Sequence, residues 1–272
     1  MDFTACLWYN PITYVVFERN ELGLTVTIDG IDVNYIRMGE GAPVVLLHGG
    51  GANAGLFMPT MELLAEKYTA VAPDLPGFGG TPEPPGVWSV DDYTDFTIRF
   101  IERLGLQKVI LLGHSFGGRV IIKLANRENL PFAIDKIILT DAAGIKPEKS
   151  GKQQAVEQAS HLGKKLLSHL PGAVEKLQSM TGSADYRAAT PLMRKILVNV
   201  VNEDLTALLP GVRPSTLLIW GDLDTATPLA DGQKMEQLLP DAGLAVIRGA
   251  GHFAFLDNPA LFGSILRSFL QI

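Results

Sequence analysis

The segment Gly113-His114-Ser115-Phe116-Gly117-Gly118 constrains the fold of this chain more than any other feature. It follows the apolar, β-branched run Val109–Leu112 and precedes Val120–Ala125, an apolar stretch with helical spacing. This order predicts a buried strand, a sharp turn with a serine at its apex, and a helix. Elsewhere the same pattern would indicate an ordinary glycine-serine turn. In this context it predicts a strained backbone that points the hydroxyl of Ser115 away from the sheet.

Candidate partners for this serine lie downstream. A serine hydroxyl is a poor nucleophile until an oriented base takes its proton. One apolar run leads into Gly221–Pro228, which contains Asp222 and Asp224, and the next leads into a glycine-rich loop with His252. The order serine, aspartate, histidine differs from the chymotrypsin and subtilisin orders. The alternative for His252 is a solvated loop histidine.

These motifs, together with His48–Gly51 and Asp74–Gly79, resemble those of the α/β-hydrolase superfamily over nearly all of the chain. The resemblance implies an α/β fold with a mostly parallel sheet, helices on both faces and an inserted helical cap. It also implies an esterase-like hydrolase with a serine nucleophile. The acid of that family usually lies in a Gly-x-x-Asp-x-x-x-Pro pattern, which matches Asp224. Asp222 is the alternative candidate for the acid. If Asp224 is the acid, Asp222 is expected to be a turn residue whose side chain bonds to its own backbone.

An oxyanion hole is also expected. Acyl transfer builds negative charge on a carbonyl oxygen, and each preorganised N–H group aimed at it is worth about 10²–10³ in rate. The amide of Phe116, directly after the serine, is one candidate because it lies at the positive end of a helix. Resemblance implies Gly50 as the other, in the loop after the predicted strand Pro43–His48.

An apolar substrate pocket is expected from the side chains near these motifs. Phe57, Met58 and Phe253 are predicted to face Ser115, in addition to Phe116. Arg119 is one turn further along the helix and is expected to point to solvent or to pair with a carboxylate. We therefore expect a small, uncharged acyl substrate, because an unpaired buried carboxylate is costly.

Composition excludes several other function classes. The net charge is −6 and basic residues do not cluster, so a nucleic-acid partner is not expected. The single cysteine, Cys6, excludes a disulfide framework and a cysteine metal site. Because no Gly-x-Gly-x-x-Gly motif follows a strand and no metal-ligand spacing occurs, we expect no cofactor and no metal.

Strands and helices are predicted to alternate along a single large domain. The eight predicted strands are Leu24–Ile28, Asp32–Arg37, Pro43–His48, Thr69–Pro73, Lys108–Gly113, Lys136–Asp141, Thr216–Gly221 and Leu244–Arg248. The first two flank the turn Asp29-Gly30 and are predicted to form a hairpin. Ser89–Asp92 has the pattern of a capping box, and Thr227-Pro228 and Asn258-Pro259 each place a cap residue before a proline at the first helical position.

The alternation breaks over residues 145–209, which are helix-rich and punctuated by Gly and Pro. The expected organisation is an apolar extension at 1–20, a hydrolase core at 21–144 and 210–272, and a helical cap at 145–209.

The N-terminal residues 3–17 are apolar and aromatic. They are too short and too interrupted for a membrane span, which needs about 20 apolar residues. Asp2 follows Met1 directly, unlike the basic start of a signal peptide. We therefore expect a cytoplasmic protein, with packing on the core or peripheral contact with a lipid surface as the alternatives for this segment.

Three functions remain open. The first is a serine hydrolase that cleaves a carboxylic ester or similar small acyl substrate. The second is a carbon–carbon bond hydrolase of the ring-cleavage-product type, which the loop His48–Ala54 resembles. The third is a non-catalytic receptor that binds a ligand in a hydrolase-like pocket. A serine at the turn argues against haloalkane dehalogenases and epoxide hydrolases, which need aspartate there.

Overall fold

A computed structural model describes residues 23–146 and 189–272 of the chain. In these residues eight strands form one sheet in the order β1-β2-β4-β3-β5-β6-β7-β8. The strands are β1 Gly23–Ile28, β2 Ile31–Met38, β3 Ala42–Leu47, β4 Tyr68–Pro73, β5 Lys108–His114, β6 Ala133–Thr140, β7 Ser215–Gly221 and β8 Ala242–Ile247. All eight predicted strands are present, most with ends shifted by one or two residues.

The first two strands form the predicted hairpin. Ile28 pairs with Ile31 across the two-residue turn of Asp29 and Gly30, whose φ angles are 51° and 81°. Left-handed values at both turn positions suit the twist of the flanking strands, and the Asp-Gly pair tolerates them. β2 also runs antiparallel to β4, whereas β3 to β8 pair in parallel.

Helices cover both faces of the sheet, as the apolar runs of the inner strands require. They are α1 Met58–Leu64, α2 Val90–Arg103, α3 Phe116–Leu124, α4 Pro191–Val201, α5 Leu229–Leu238, α6 Ala254–Asp257 and α7 Pro259–Leu270. The side chains of α2, α3 and α5 pack into one core cluster, and those of α1 and α7 pack into a second on the opposite face. The predicted fold class is confirmed.

Local signals place several helix starts. α2 begins with the predicted capping box, in which Ser89 and Asp92 each satisfy a backbone N–H of the other. α7 begins at Pro259, and the side chain of Asn258 accepts from the amide of Leu261. The matching prediction for Thr227 is wrong, because α5 begins one residue later than expected and the Thr227 hydroxyl bonds to Asp224 instead.

The proposed extension at 1–20 and residues 147–188 of the proposed cap lie outside the described residues. The remaining part of the cap region contains α4 and a short 3₁₀ helix, Thr206–Gly211. Within the two described stretches, no helix combines the length and the apolar character needed to cross a membrane.

Candidate active site

Ser115 lies at the apex of the turn between β5 and α3. Its φ of 49° and ψ of −112° are outside the regions that L-residues favour, so the backbone is strained there. A Cβ at Gly117 would lie 2.0 Å from the carbonyl oxygen of Leu47, and one at Gly113 would lie 2.8 Å from the backbone of Gly117. The two glycines are therefore required because the turn packs directly against neighbouring backbone.

Asp224 and His252 form a buried pair beside this turn. The Asp224 Oδ2 atom lies 2.8 Å from His252 Nδ1, and their side chains are 0% and 19% exposed. Because a carboxylate accepts, Nδ1 donates the proton and Nε2 is left as the acceptor of the neutral ring. Burial by itself would raise the pKa of Asp224, but hydrogen bonds from His252 and Thr227 outweigh it and hold that pKa below its usual value.

Ser115 Oγ makes no hydrogen bond with any residue of the described part of the chain, although Ser115 and His252 line the same cavity. The structure therefore brings Asp224 into contact with His252 and places His252 in the same cavity wall as Ser115. Among the described residues, the serine hydroxyl has no hydrogen-bond partner.

The competing carboxylate, Asp222, is exposed and accepts from the amide of Gly249 at 2.6 Å. Its side chain ties together the loops after β7 and β8. Asp222 forms no hydrogen bond with His252, so the geometry favours Asp224 as the partner of the imidazole.

Asp141, at the end of β6, is a site residue that the sequence reasoning missed. Its carboxylate is fully buried and accepts from the amides of Gly221 at 2.9 Å and Ala254 at 3.0 Å. Its own carbonyl oxygen lies 3.0 Å from the hydroxyl oxygen of Thr227, whose one proton is shared with the nearer carboxylate of Asp224. Burial raises the pKa of Asp141 to about 6, despite the two amide donors. Asp141 fixes the start of the loop that carries Asp224 and the end of the loop that carries His252. Its position directly after a buried strand was the available signal.

His114 contacts the loop that carries His252. Its Nε2 lies 2.7 Å from the carbonyl oxygen of His252, and because a carbonyl only accepts, Nε2 carries the proton and donates. Its buried Nδ1 has no hydrogen-bond partner among the described residues. Burial, followed by repulsion from His252, lowers the pKa of His114 to about 3, so the ring stays neutral near pH 7.

The two predicted oxyanion donors lie at the same cavity. Phe116 is the first residue of α3, and the first amides of a helix have no partner within it. Gly50 lines the cavity. The His48 Nε2 atom accepts from the amide of Leu75 at 3.0 Å, so its Nδ1 carries the proton and donates to the carbonyl of Gly49 at 2.7 Å.

This bond sets the direction of the next amide. The chain contains no cis peptide in its described residues, and the C=O and N–H of a trans peptide point in opposite directions. His48, together with the amide of Ala52 at 3.3 Å, holds the Gly49 carbonyl. The amide of Gly50, which lines the cavity, therefore points away from these donors. Burial lowers the pKa of His48, which keeps its ring neutral and this arrangement intact.

Asp74 holds the far end of the same loop. Its buried carboxylate accepts from the amides of Ala54 and Gly80, each at 2.7 Å, and from the side chain of Asn34 at 3.0 Å. At Gly79 a Cβ would lie 2.3 Å from this carboxylate. Gly79, the last residue of the Asp74–Gly79 motif, therefore leaves room for the Asp74 carboxylate that anchors the loop.

A cavity of about 570 Å³ opens above Ser115. Its described wall is mainly apolar and includes Phe253, which is 39% exposed, and residues of α4. The charged residues in the described wall are Arg119 and Asp231, which have opposite signs.

Three expectations about this wall need correction. Phe57 is fully buried and packs on Phe255 with ring centroids 5.4 Å apart, because the short helix before α1 turns it into the core. Met58, half-buried at the start of α1, does not line the cavity either. Arg119 does not point to solvent: it is 6% exposed, lines the cavity and donates to the carbonyls of Glu203 and Val201.

Among the described residues, no group of three or more His, Cys, Asp or Glu side chains is placed to hold a metal ion.

Comparison with known proteins places this geometry in a family. The family model described as the alpha/beta hydrolase fold matches residues 42–259. A 2-hydroxy-6-oxo-2,4-heptadienoate hydrolase of Pseudomonas putida is 26% identical, covering 92% of this chain and 96% of its own length.

Solved structures agree with this assignment. An esterase from Exiguobacterium antarcticum has a TM-score of 0.72 and 25% identity, over 92% of this chain and 100% of its own. A meta-cleavage product hydrolase from Pseudomonas fluorescens has a TM-score of 0.69 at 24% identity, over 92% of this chain and 98% of its own, and shows similarity of fold. The chain, with its eight-stranded sheet and its serine at the turn after β5, belongs to the alpha/beta hydrolase family.

Proposed function

We propose that this hydrolase cleaves a small, uncharged carboxylic ester through an acyl-enzyme on Ser115. The observation that carries the proposal is the buried pair of Asp224 and His252 at the edge of the cavity that the strained Ser115 faces. A strained nucleophile and an oriented base in one cavity are what acyl transfer by serine requires.

In the proposed mechanism His252 is the general base. Asp224 holds the proton on Nδ1, which leaves Nε2 to accept the proton of Ser115 Oγ as this oxygen attacks the ester carbonyl. The imidazolium then donates this proton to the leaving alcohol. The hydrogen bond between Ser115 and His252 is expected to form with substrate, since such bonds are often long without it.

The amides of Phe116 and Gly50 are proposed to donate hydrogen bonds to the developing oxyanion. The amide of Phe116 is at the positive end of α3, and the Gly49–Gly50 peptide is held by His48 before substrate arrives, so neither needs to reorganise during the reaction. In the second half of the cycle a water molecule, activated by His252, attacks the acyl-enzyme and releases the acid.

The cavity supports an uncharged substrate. Apolar side chains dominate its described wall, which also contains Asp231, and Arg119 is already bonded to two backbone carbonyls. A substrate carboxylate would lose its hydration without gaining a cation free of other partners.

A hydrolysis panel tests the proposal. Wild type and Ser115→Ala are compared on p-nitrophenyl esters, lactones, amino-acid arylamides and vinylogous diketones, with labelling by a fluorophosphonate mapped by mass spectrometry. We expect ester turnover and labelling at Ser115 in wild type, and neither in a folded Ser115→Ala protein. Labelling at another residue, or activity near wild type in the variant, contradicts the assignment. Labelling of Ser115 without turnover of any substrate supports the ligand receptor instead.

Cleavage of a carbon–carbon bond is the second candidate. Three similar curated proteins have names that describe hydrolases of dienoate or muconate semialdehyde compounds. The same three side chains would serve that reaction, so the panel separates the two candidates by substrate. A higher kcat/KM for a carboxylate-bearing vinylogous diketone than for a neutral short-chain ester favours this second candidate.

A further inference from the structure

The position of Arg119 is not explained by the chemistry of the serine. It lies on α3, four residues after Ser115, and is 6% exposed at the cavity wall. Burying a guanidinium is costly unless its donors are used. The partners it uses therefore indicate what it is for.

These partners are one backbone carbonyl at the last residue of α4 and one just after it. The Nη2 atom donates to the carbonyl of Val201 at 3.1 Å, and Nη1 donates to the carbonyl of Glu203. The last carbonyls of a helix have no partner within it, and a cation at that end is favourable. Arg119 thus caps α4 and ties it to the helix that carries the nucleophile.

α4 contributes a continuous part of the described wall of the cavity that contains Ser115. Its residues Ile196, Leu197, Val198, Val200 and Val201 line the cavity. Leu197 lies over the proposed oxyanion loop, since its Cδ2 atom would be 3.6 Å from a Cβ at Gly50. Any shift of α4 relative to α3 therefore changes the space in which an acyl group would lie.

We propose that Arg119 is a positioning residue that determines specificity: by capping α4 it sets the distance between α4 and Ser115, and so the size of acyl group that fits between them. This inference rests on the proposed function, because it assigns an acyl group to the cavity. A direct role as an anion clamp is less favoured, since two of the donors of Arg119 are in use and Asp231 lies in the same wall.

Lys123 offers a matched control. It lies one turn further along α3, is 8% exposed, and pairs with the carboxylates of Asp91 and Glu203. It therefore binds the same segment after α4, but it does not line the cavity and bonds to no carbonyl of α4. Removing it should cost stability without changing the cavity.

The test compares wild type, Arg119→Met, Arg119→Lys and Lys123→Met on p-nitrophenyl acetate, butyrate and octanoate. In Arg119→Met we expect the octanoate-to-acetate ratio of kcat/KM to change by about tenfold or more, mostly through KM, because one methylene in an apolar pocket is worth about 10–200-fold. Arg119→Lys should change this ratio less, and it replaces Arg119→Met in the test if that variant does not fold. Lys123→Met should keep the wild-type ratio at a lower Tm.

Several results would overturn the inference. An equal change in Lys123→Met would show that any loosening of this segment suffices. An equal loss on all esters would place Arg119 in the chemistry, and a selective loss on a carboxylate-bearing ester would make it an anion clamp.

Amide hydrogen exchange needs no substrate, so it distinguishes a failure of this inference from a failure of the proposed function. If wild type cleaves no ester, amide hydrogen exchange over Val198–Asn202 still measures the tie between α4 and α3. Faster exchange in Arg119→Met than in Lys123→Met supports the positioning role, and unchanged exchange refutes it.

Discussion

Two substitutions of His48 test whether it orients the Gly49–Gly50 peptide, because each keeps one of the two hydrogen bonds that the imidazole makes. The amide nitrogen of Asn replaces Nδ1, so His48→Asn retains a donor for the carbonyl of Gly49 and loses the acceptor for the amide of Leu75. The amide oxygen of Gln replaces Nε2, so His48→Gln does the reverse. Each variant thus breaks one of two buried hydrogen bonds, of 2.7 Å and 3.0 Å.

The expected magnitudes separate activity from stability. Loss of one buried hydrogen-bond partner costs about 1–3 kcal/mol, so both variants should lose a similar free energy of unfolding. In His48→Gln the Gly49 carbonyl keeps only the amide of Ala52, at 3.3 Å, so the amide of Gly50 is no longer held firmly toward the cavity. Loss of one oxyanion donor lowers kcat by about 10²–10³, whereas His48→Asn should keep kcat close to wild type.

The assays are urea unfolding and steady-state kinetics on p-nitrophenyl acetate. Equal losses of kcat in the two variants would mean that activity follows the general loss of packing around His48. Wild-type kcat in His48→Gln would show that the peptide holds its direction without this bond, and the reasoning about the oxyanion loop would be refuted.

Three further predictions follow from the site. Asp224→Asn should lower kcat by about 10⁴ through loss of imidazole orientation, and Asp222→Asn should change it little; reversed results in the ester assay would move the acid to Asp222. Gly117→Ala should prevent folding or lower Tm strongly, because its Cβ would lie 2.0 Å from a β3 carbonyl oxygen; near-wild-type Tm by circular dichroism would contradict the packing of the turn. Burial raises the pKa of Asp141 from 3.8 to about 6, so the folded state binds that proton more tightly than the unfolded state and this contribution to stability is lost as pH rises through about 6. Relative to Asp141→Asn, wild type should lose about 2 kcal/mol of unfolding free energy between pH 4 and pH 8. A constant difference in unfolding free energy between the two proteins across that range, measured by urea unfolding, would exclude the raised pKa.

Much of the fold could be predicted because its signals are local. Continuous apolar runs indicated the inner strands, and the turn at Asp29 and Gly30 followed from two residue types that tolerate positive φ. β6 begins at Ala133 rather than Lys136, since pairing with β5 extends it beyond its apolar part.

The direction of side chains could not be predicted in the same way. Phe57 and Phe253 looked alike as aromatic residues near the motifs, yet one packs in the core and the other lines the cavity. Phe57 is buried against Phe255, which lies about 200 residues further along the chain. Sequence spacing carries no information about such a contact.

The sequence by itself determined the strand, turn and helix around Ser115, and the order in which Asp224 and His252 follow it. These depend on glycines, periodicity and strand ends, all of which act over a few residues. Only the tertiary structure decided that Asp141 joins the two loops and that Arg119 caps α4 rather than pointing to solvent. A buried charge takes whichever partners the folded chain brings within hydrogen-bond distance, and those partners come from segments distant in the sequence.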